Sequence, residues 1–264
     1  MFRSTKELFG YQILAQDGEI GKVYDLYFDD DDWLTRYLVV DTGPWILGRR
    51  VLLVPDCLGQ PDWTNETFPV DLTRKQIKES PEINTALPIS KQQQISLHRY
   101  YRWPPYWSFA TPFSTSPVSS VAATMQSESK YQDEEKKVIE RMLEANSTLR
   151  STKEIIGYQV NGEDGELGQV NDIILDDETW KLLYLVLDTS TGLKKGKKTL
   201  IAIPWVIWFD YKSHEVQLEL RQQTIENSPS YDPSTPINHT HEEVLYDYYG
   251  RPYIRKEESV VPER

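Results

Sequence analysis

Apolar and polar positions along this chain fall into short runs, not long stripes of helical period. Tyr37–Val40 and Tyr184–Leu187 are continuously apolar and rich in β-formers. Runs of that kind predict central strands covered on both faces. Val23–Asp29 and Val170–Asp176 alternate imperfectly around Asp25 and Asp172, which predicts strands carrying a bulge. Leu52–Val54 and Leu200–Ile203 each run into a proline, which closes a strand. Val216, Leu218 and Leu220 alternate cleanly. Asp17-Gly18 and Asp164-Gly165 sit between extended stretches, a hairpin signal because the turn needs positive φ, which Asp and Gly tolerate. Thr73 before RKQIKES, with Pro81 behind it, predicts a short helix with both ends marked. Short strands joined by tight turns predict a mainly β chain that folds as small barrels.

The pattern occurs twice. Residues 3–42 and 150–189 align without a gap at an offset of 147, and 22 of the 40 positions are identical. Weaker matches continue with small shifts: LLVP to Pro55 with AIP to Pro204, VDLTRKQIKESP with LELRQQTIENSP, and LHRYYRWP with LYDYYGRP. Two tandem copies of one unit are expected, 1–107 and 148–258. Between them, residues 108–130 are Ser, Thr, Pro and Ala with almost no charge, a composition that predicts a flexible linker. Residues 131–147 predict an amphipathic helix on Val138, Ile139, Met142 and Leu143.

Each copy resembles the PRC-barrel domain, the module shared by the cytoplasmic part of the photosynthetic reaction-centre H-subunit and by ribosome maturation factor RimM. The residues that carry the resemblance are the opening RSTKE-(Leu/Ile)-x-Gly, then DGE-(Ile/Leu)-Gly-x-Val-x-Asp, then Tyr-Leu-Val-(Val/Leu)-Asp, the Pro204-Trp205 step and the closing LHRYYRWPPYW. Against Trp205 the first copy offers Asp56. The resemblance implies two tandem PRC-type β-barrels with short helices and aromatic tails. It also implies a non-catalytic adaptor for protein–protein interaction or assembly, with the photosynthetic reaction-centre H-subunit as the nearest analogy of task.

Charge and residue chemistry narrow the classes. Asp and Glu outnumber Lys and Arg 41 to 29, a net charge of −12, which argues against nucleic acid and anionic lipid surfaces. A single cysteine, Cys57, excludes an intrachain disulfide and a cysteine-based zinc cage. No apolar run reaches the roughly 18 residues of a membrane span, so a cytoplasmic protein without membrane insertion is expected. Asp29–Asp32 lacks the Gly and Glu of a calcium loop and reads as a solvated turn. GLKKGKKT at 192–199 departs from phosphate-loop spacing and reads as a strand connection. His239-x-His241 beside Glu242 has no counterpart in the first copy. No metal, cofactor or catalytic residue is assigned. Asp25/Asp172 and Asp41/Asp188 are read as carboxylates that bond nearby backbone N–H groups.

Asp17, Gly18, Gly21, Asp164, Gly165 and Gly168 are assigned to turns. The candidate interface is the aromatic tails: Tyr100, Tyr101, Trp103, Tyr106 and Trp107 in the first copy, Tyr246, Tyr248, Tyr249 and Tyr253 in the second. Large apolar rings with polar tips suit either a protein partner, a second copy of the chain included, or packing on the chain's own core. The alternative function is a small-ligand-binding protein or hydrolase with a pocket between the copies.

Overall fold

The computed structural model describes residues 1–46, 48–83, 89–107, 149–193 and 196–253. The linker expected at 108–130 and the helix expected at 131–147 lie outside the described residues. The first copy runs β1 (Phe2–Ser4), α1 (Thr5–Leu8), β2 (Gln12–Ala15), β3 (Gly18–Asp29), β4 (Thr35–Asp41), β5 (Arg50–Leu53), β6 (Thr67–Pro69), α2 (Arg74–Lys78) and α3 (Lys91–Tyr101). The second runs β7 (Leu149–Ser151), α4 (Thr152–Ile155), β8 (Gln159–Asn161), β9 (Glu166–Asp176), β10 (Leu182–Asp188), β11 (Lys198–Ala202), β12 (Val206–Asp210), β13 (Glu215–Leu218), α5 (Gln222–Asn227) and α6 (His239–Tyr248).

The chain is mainly β, in two sheets of order β5-β4-β3-β2-β6 and β11-β10-β9-β8-β13-β12. Neither hydrogen-bonded path returns to its first strand. The continuously apolar strands are central: Tyr37, Leu38, Val39 and Val40 are each wholly buried. Register shifts fall between Val23 and Asp25 and between Val186 and Leu187, so both expected bulges sit where alternation failed. Thr73 caps α2 through a reciprocal box with Gln76, which satisfies N–H groups that the helix leaves open.

The opening segments are exchanged. β1 pairs with β9 of the second copy, and β7 pairs with β3 of the first. Phe2 lies opposite Asp176 and Ser4 opposite Ile174, while Leu149 lies opposite Asp29 and Ser151 opposite Tyr27. Those partners are the same positions at the offset of 147 read from the sequence. The turns between strands also meet across the two copies: Thr35 N–H donates to the Trp180 carbonyl and Leu182 N–H to that of Trp33, both at 2.9 Å. Trp33 (φ 61°) and Trp180 (φ 58°) hold the left-handed backbone that makes this approach.

The exchange explains the opening motif. Asp172 accepts Ser4 Oγ at 2.5 Å, Thr5 Oγ1 at 3.0 Å and Lys6 N–H at 3.3 Å from the first copy. Asp25 accepts Ser151 Oγ at 2.5 Å, Thr152 Oγ1 at 3.0 Å and Lys153 N–H at 3.2 Å from the second. Arg3 reaches Asp177 at 3.2 Å and Arg150 reaches Asp30 at 2.9 Å. Asp41 and Asp188 do bond the N–H of their own turns, at Gly43 and Ser190. Asp25 and Asp172 also bond the next backbone N–H, at Leu26 and Ile173, but their larger task is to receive the other copy. Burial raises the Asp25 pKa even though four hydrogen bonds oppose the shift.

Candidate functional site

The turn residues serve the scaffold. Gly18 (φ 138°) and Gly165 (φ 143°) take positive φ, whereas Asp17 and Asp164 do not. Each Asp instead accepts the first N–H of a helix, Asp17 from Arg74 at 2.7 Å and Asp164 from Gln222 at 2.8 Å, tying hairpin to helix. A Cβ on Gly21 or Gly168 would lie 2.1 Å from the carbonyl oxygen of Asp41 or Asp188, so only glycine lets these strands approach.

Both tails are helical at their start, which the aromatic count did not reveal. The signals were present: Ser90 with Gln93 forms a capping box on α3, and Asn238 caps α6. Each tail lies against its own copy. The Tyr100 hydroxyl donates to the Gln76 carbonyl and the Tyr248 hydroxyl to that of Thr224. His98 is buried between Tyr37 and the end of the tail. The Pro104 carbonyl only accepts, so His98 Nδ1 carries the proton and Nε2 accepts from Tyr37 Oη at 2.7 Å. Burial lowers the His98 pKa below the ordinary imidazole value. In the second copy Tyr184 and Tyr253 both donate to buried Glu242. Trp107 and Tyr106 close on His98, and Tyr246 meets Tyr253 at 5.2 Å.

Strand register corrects one pairing of the two copies. The bridge Leu58–Val70 matches Val206–Leu218, and Asp62–Thr67 matches Asp210–Glu215. The offset here is therefore 148, and the counterpart of Trp205 is buried Cys57, not Asp56. Aligning Pro55 with Pro204 slips the match by one residue. The volume is restored from elsewhere. Trp205 packs on Tyr246 at 5.1 Å and Tyr249 at 4.8 Å. In the first copy Trp103 packs on the equivalent His98 at 5.9 Å and stacks on Tyr101 at 4.2 Å. At this place an indole packs on the tail helix in both copies, from the strand end in one and from the tail in the other.

The same register exposes a difference that the fold does not require. β12 ends its sheet path, and a bulge between Val206 and Trp208 turns two consecutive apolar side chains outward. Ile207 is 57% exposed and Trp208 43%. Gly59 and Gln60 hold these places in the first copy. Arg150, Tyr211 and Lys212 border the surface beside Trp208. The tail was the expected interface; this edge was not singled out from the sequence.

A cleft of about 250 Å³ lies where the two copies meet, walled by Trp103 and Tyr106 of the first tail and Trp180 of the second copy. Thr35 lines it, and its buried hydroxyl has no partner among the described residues. Arg36 also lines it, lying 4.2 Å over the Tyr106 ring and paired with Asp32. Asp56 and Glu178 stand at its rim.

Elsewhere, several charged side chains contact the scaffold. Asp29, Asp30 and Asp31 bring carboxylate oxygens within 4.8 Å of one another, with Arg36 near Asp29 and Arg150 on Asp30. His241 bonds the capping Asn238 while His239 turns to Glu242 and Tyr253, so the two rings do not converge. In the loop before β11, Lys197 donates to the carbonyls of Glu226 and Ser228. Arg49 does the same at Lys78, Ser80 and Pro81 in the first copy, each cation neutralising a helix C-terminus. Burial pushes the Cys57 thiol up to about 12.

In comparison with known proteins, the family model of the PRC-barrel domain matches two segments, residues 2–62 and 148–222, together more than half of the chain. No curated protein matches.

Proposed function

The chain belongs to the PRC-barrel family, and from that premise we propose that it is a non-catalytic adaptor that binds a protein partner. The observation that carries the proposal is the pair Ile207 and Trp208 on the open edge of β12. The first copy builds the same scaffold with Gly59 and Gln60, so stability does not call for an exposed indole there. An unpaired strand edge with adjacent apolar side chains is suited to adding a partner's strand or covering surface. The tails contribute through the walls they supply, Trp103 and Tyr106, and through half-exposed Tyr100 and Tyr248.

No helix among the described residues is long and apolar enough to cross a membrane. We place the protein in the cytoplasm and read it as an adaptor without nucleic-acid affinity. A role like that of the photosynthetic reaction-centre H-subunit is the narrower form and rests on the shared module. The alternative, a small-ligand binder or hydrolase, draws support from the cleft, but His98 beside it has both ring nitrogens engaged and so offers no free base.

The test is affinity capture from the native organism with the wild type and with Ile207→Asp/Trp208→Asp. Exposed substitutions of this kind alter stability by about 0.5 kcal/mol or less, so melting stays constant while capture falls. Equal capture by both proteins overturns the assignment of the edge.

A further inference from the structure

The two copies act as controls for each other in the cleft at their junction. Thr35 and Arg36 correspond to Leu182 and Leu183, and Asp56 corresponds to Pro204. Three polar residues on one side therefore stand where the other copy folds with three apolar ones. Thr35 is only 5% exposed, yet its hydroxyl is unpartnered among the described residues, a state that costs about 1–3 kcal/mol. A group that the fold can replace by leucine and that stays unsatisfied inside a cavity points to something that enters the cavity.

The chemistry of the walls selects the entrant. Trp103, Tyr106 and Trp180 line the cleft; aromatic faces attract cations, and the Tyr106 ring already holds Arg36 at 4.2 Å and Lys91 at 5.2 Å, which leaves the indoles of Trp103 and Trp180 for an incoming one. Arg36 is already neutralised by Asp29 and Asp32, which leaves the rim carboxylates Asp56 and Glu178 as the available charge. The Met1 ammonium lies 3.9 Å from Glu178 but is held by Asp177 at 2.5 Å, and Glu178 itself is 85% exposed. The net charge of −12 favours a basic partner at longer range. We infer that the cleft receives a lysine or arginine side chain from the protein partner, its stem passing the rim carboxylates Asp56 and Glu178 that draw the cation in, and its head among the indoles with an N–H donated to Thr35. This rests on the adaptor reading and supplies the partner's chemistry.

The test is a titration of the full chain with acetyl-Gly-Arg-Gly-amide and acetyl-Gly-Lys-Gly-amide, followed through the indole N–H resonances of Trp103 and Trp180. Saturable shifts are expected with either basic peptide and none with acetyl-Gly-Glu-Gly-amide. Asp56→Asn/Glu178→Gln should weaken binding by about tenfold. Absence of saturation, equal response to the glutamate peptide, or undiminished binding by the carboxylate variant overturns the inference. Because the β12 edge is tested by capture and the cleft by peptide, either can fail without the other.

Discussion

Asp172→Ala tests whether the copies are held together by exchange of their opening segments. The carboxylate accepts from Ser4 Oγ, Thr5 Oγ1, Lys6 N–H and its own neighbour Ile173 N–H. Ser4 Oγ has a second contact with Glu7 N–H, but that bond uses the oxygen as acceptor and leaves its proton unplaced. Thr5 is wholly buried, and so is Ile173. Two donors are thus stranded without access to water, at about 1–3 kcal/mol each. Part of this is offset because the variant no longer desolvates a carboxylate. The expected loss is about 2–5 kcal/mol, a large share of the 5–15 kcal/mol typical of a folded domain. Urea unfolding followed by circular dichroism measures it, and one cooperative transition is expected because each sheet contains a strand from the other copy. Adding Ser4→Ala and Thr5→Val should recover part of the loss, a coupling of about 1–3 kcal/mol across 168 positions of sequence. Asp41→Ala, which forfeits a bond within its own turn, should cost about 1 kcal/mol. A loss below that in Asp172→Ala, or strict additivity with the Ser4 and Thr5 changes, refutes the exchange.

Three further outcomes follow from the same contacts. Cleavage at a protease site inserted between residues 114 and 121 should leave the two halves co-eluting at the mass of the intact 30.8 kDa chain, since β1 and β7 are held by the opposite sheets; separation without denaturant would contradict the pairing. Trp205→Ala should cost about 3–5 kcal/mol because its indole is buried, and Trp103→Ala, whose indole is only partly buried, about 1–3 kcal/mol; a melting temperature unchanged in Trp103→Ala would show that the first tail is not core. His98 has a folded pKa below that of the unfolded chain, so the unfolded state takes up the proton first and stability is lost as pH falls below about 6.5; nuclear magnetic resonance titration of the His98 ring giving a value above that would reverse the sign.

The repeat, the β class, the bulges at Asp25 and Asp172 and the capped helix at Thr73 were all legible in the order of residues. Each depends on local sterics or on which face is apolar, and those are properties of neighbouring positions. The chemistry of the opening motif was not legible in that way. Ser4, Thr5 and Asp172 meet only because the first strand crosses to the second sheet, and a repeated sequence is equally compatible with each copy keeping its own strand. The tails show the same limit. Their ring density marked them as apolar surface needing cover, while α3 and α6 lie on their own copies because Tyr37 and Tyr184 offer partners there. Trp205 and Trp103 exchange roles with no matching positions in sequence, since packing conserves volume at a point in space and not at a place in the chain. The exposed edge at Ile207 and Trp208 arises from a bulge that re-aims two side chains, and only the register of β12 on β13 determines which way they face.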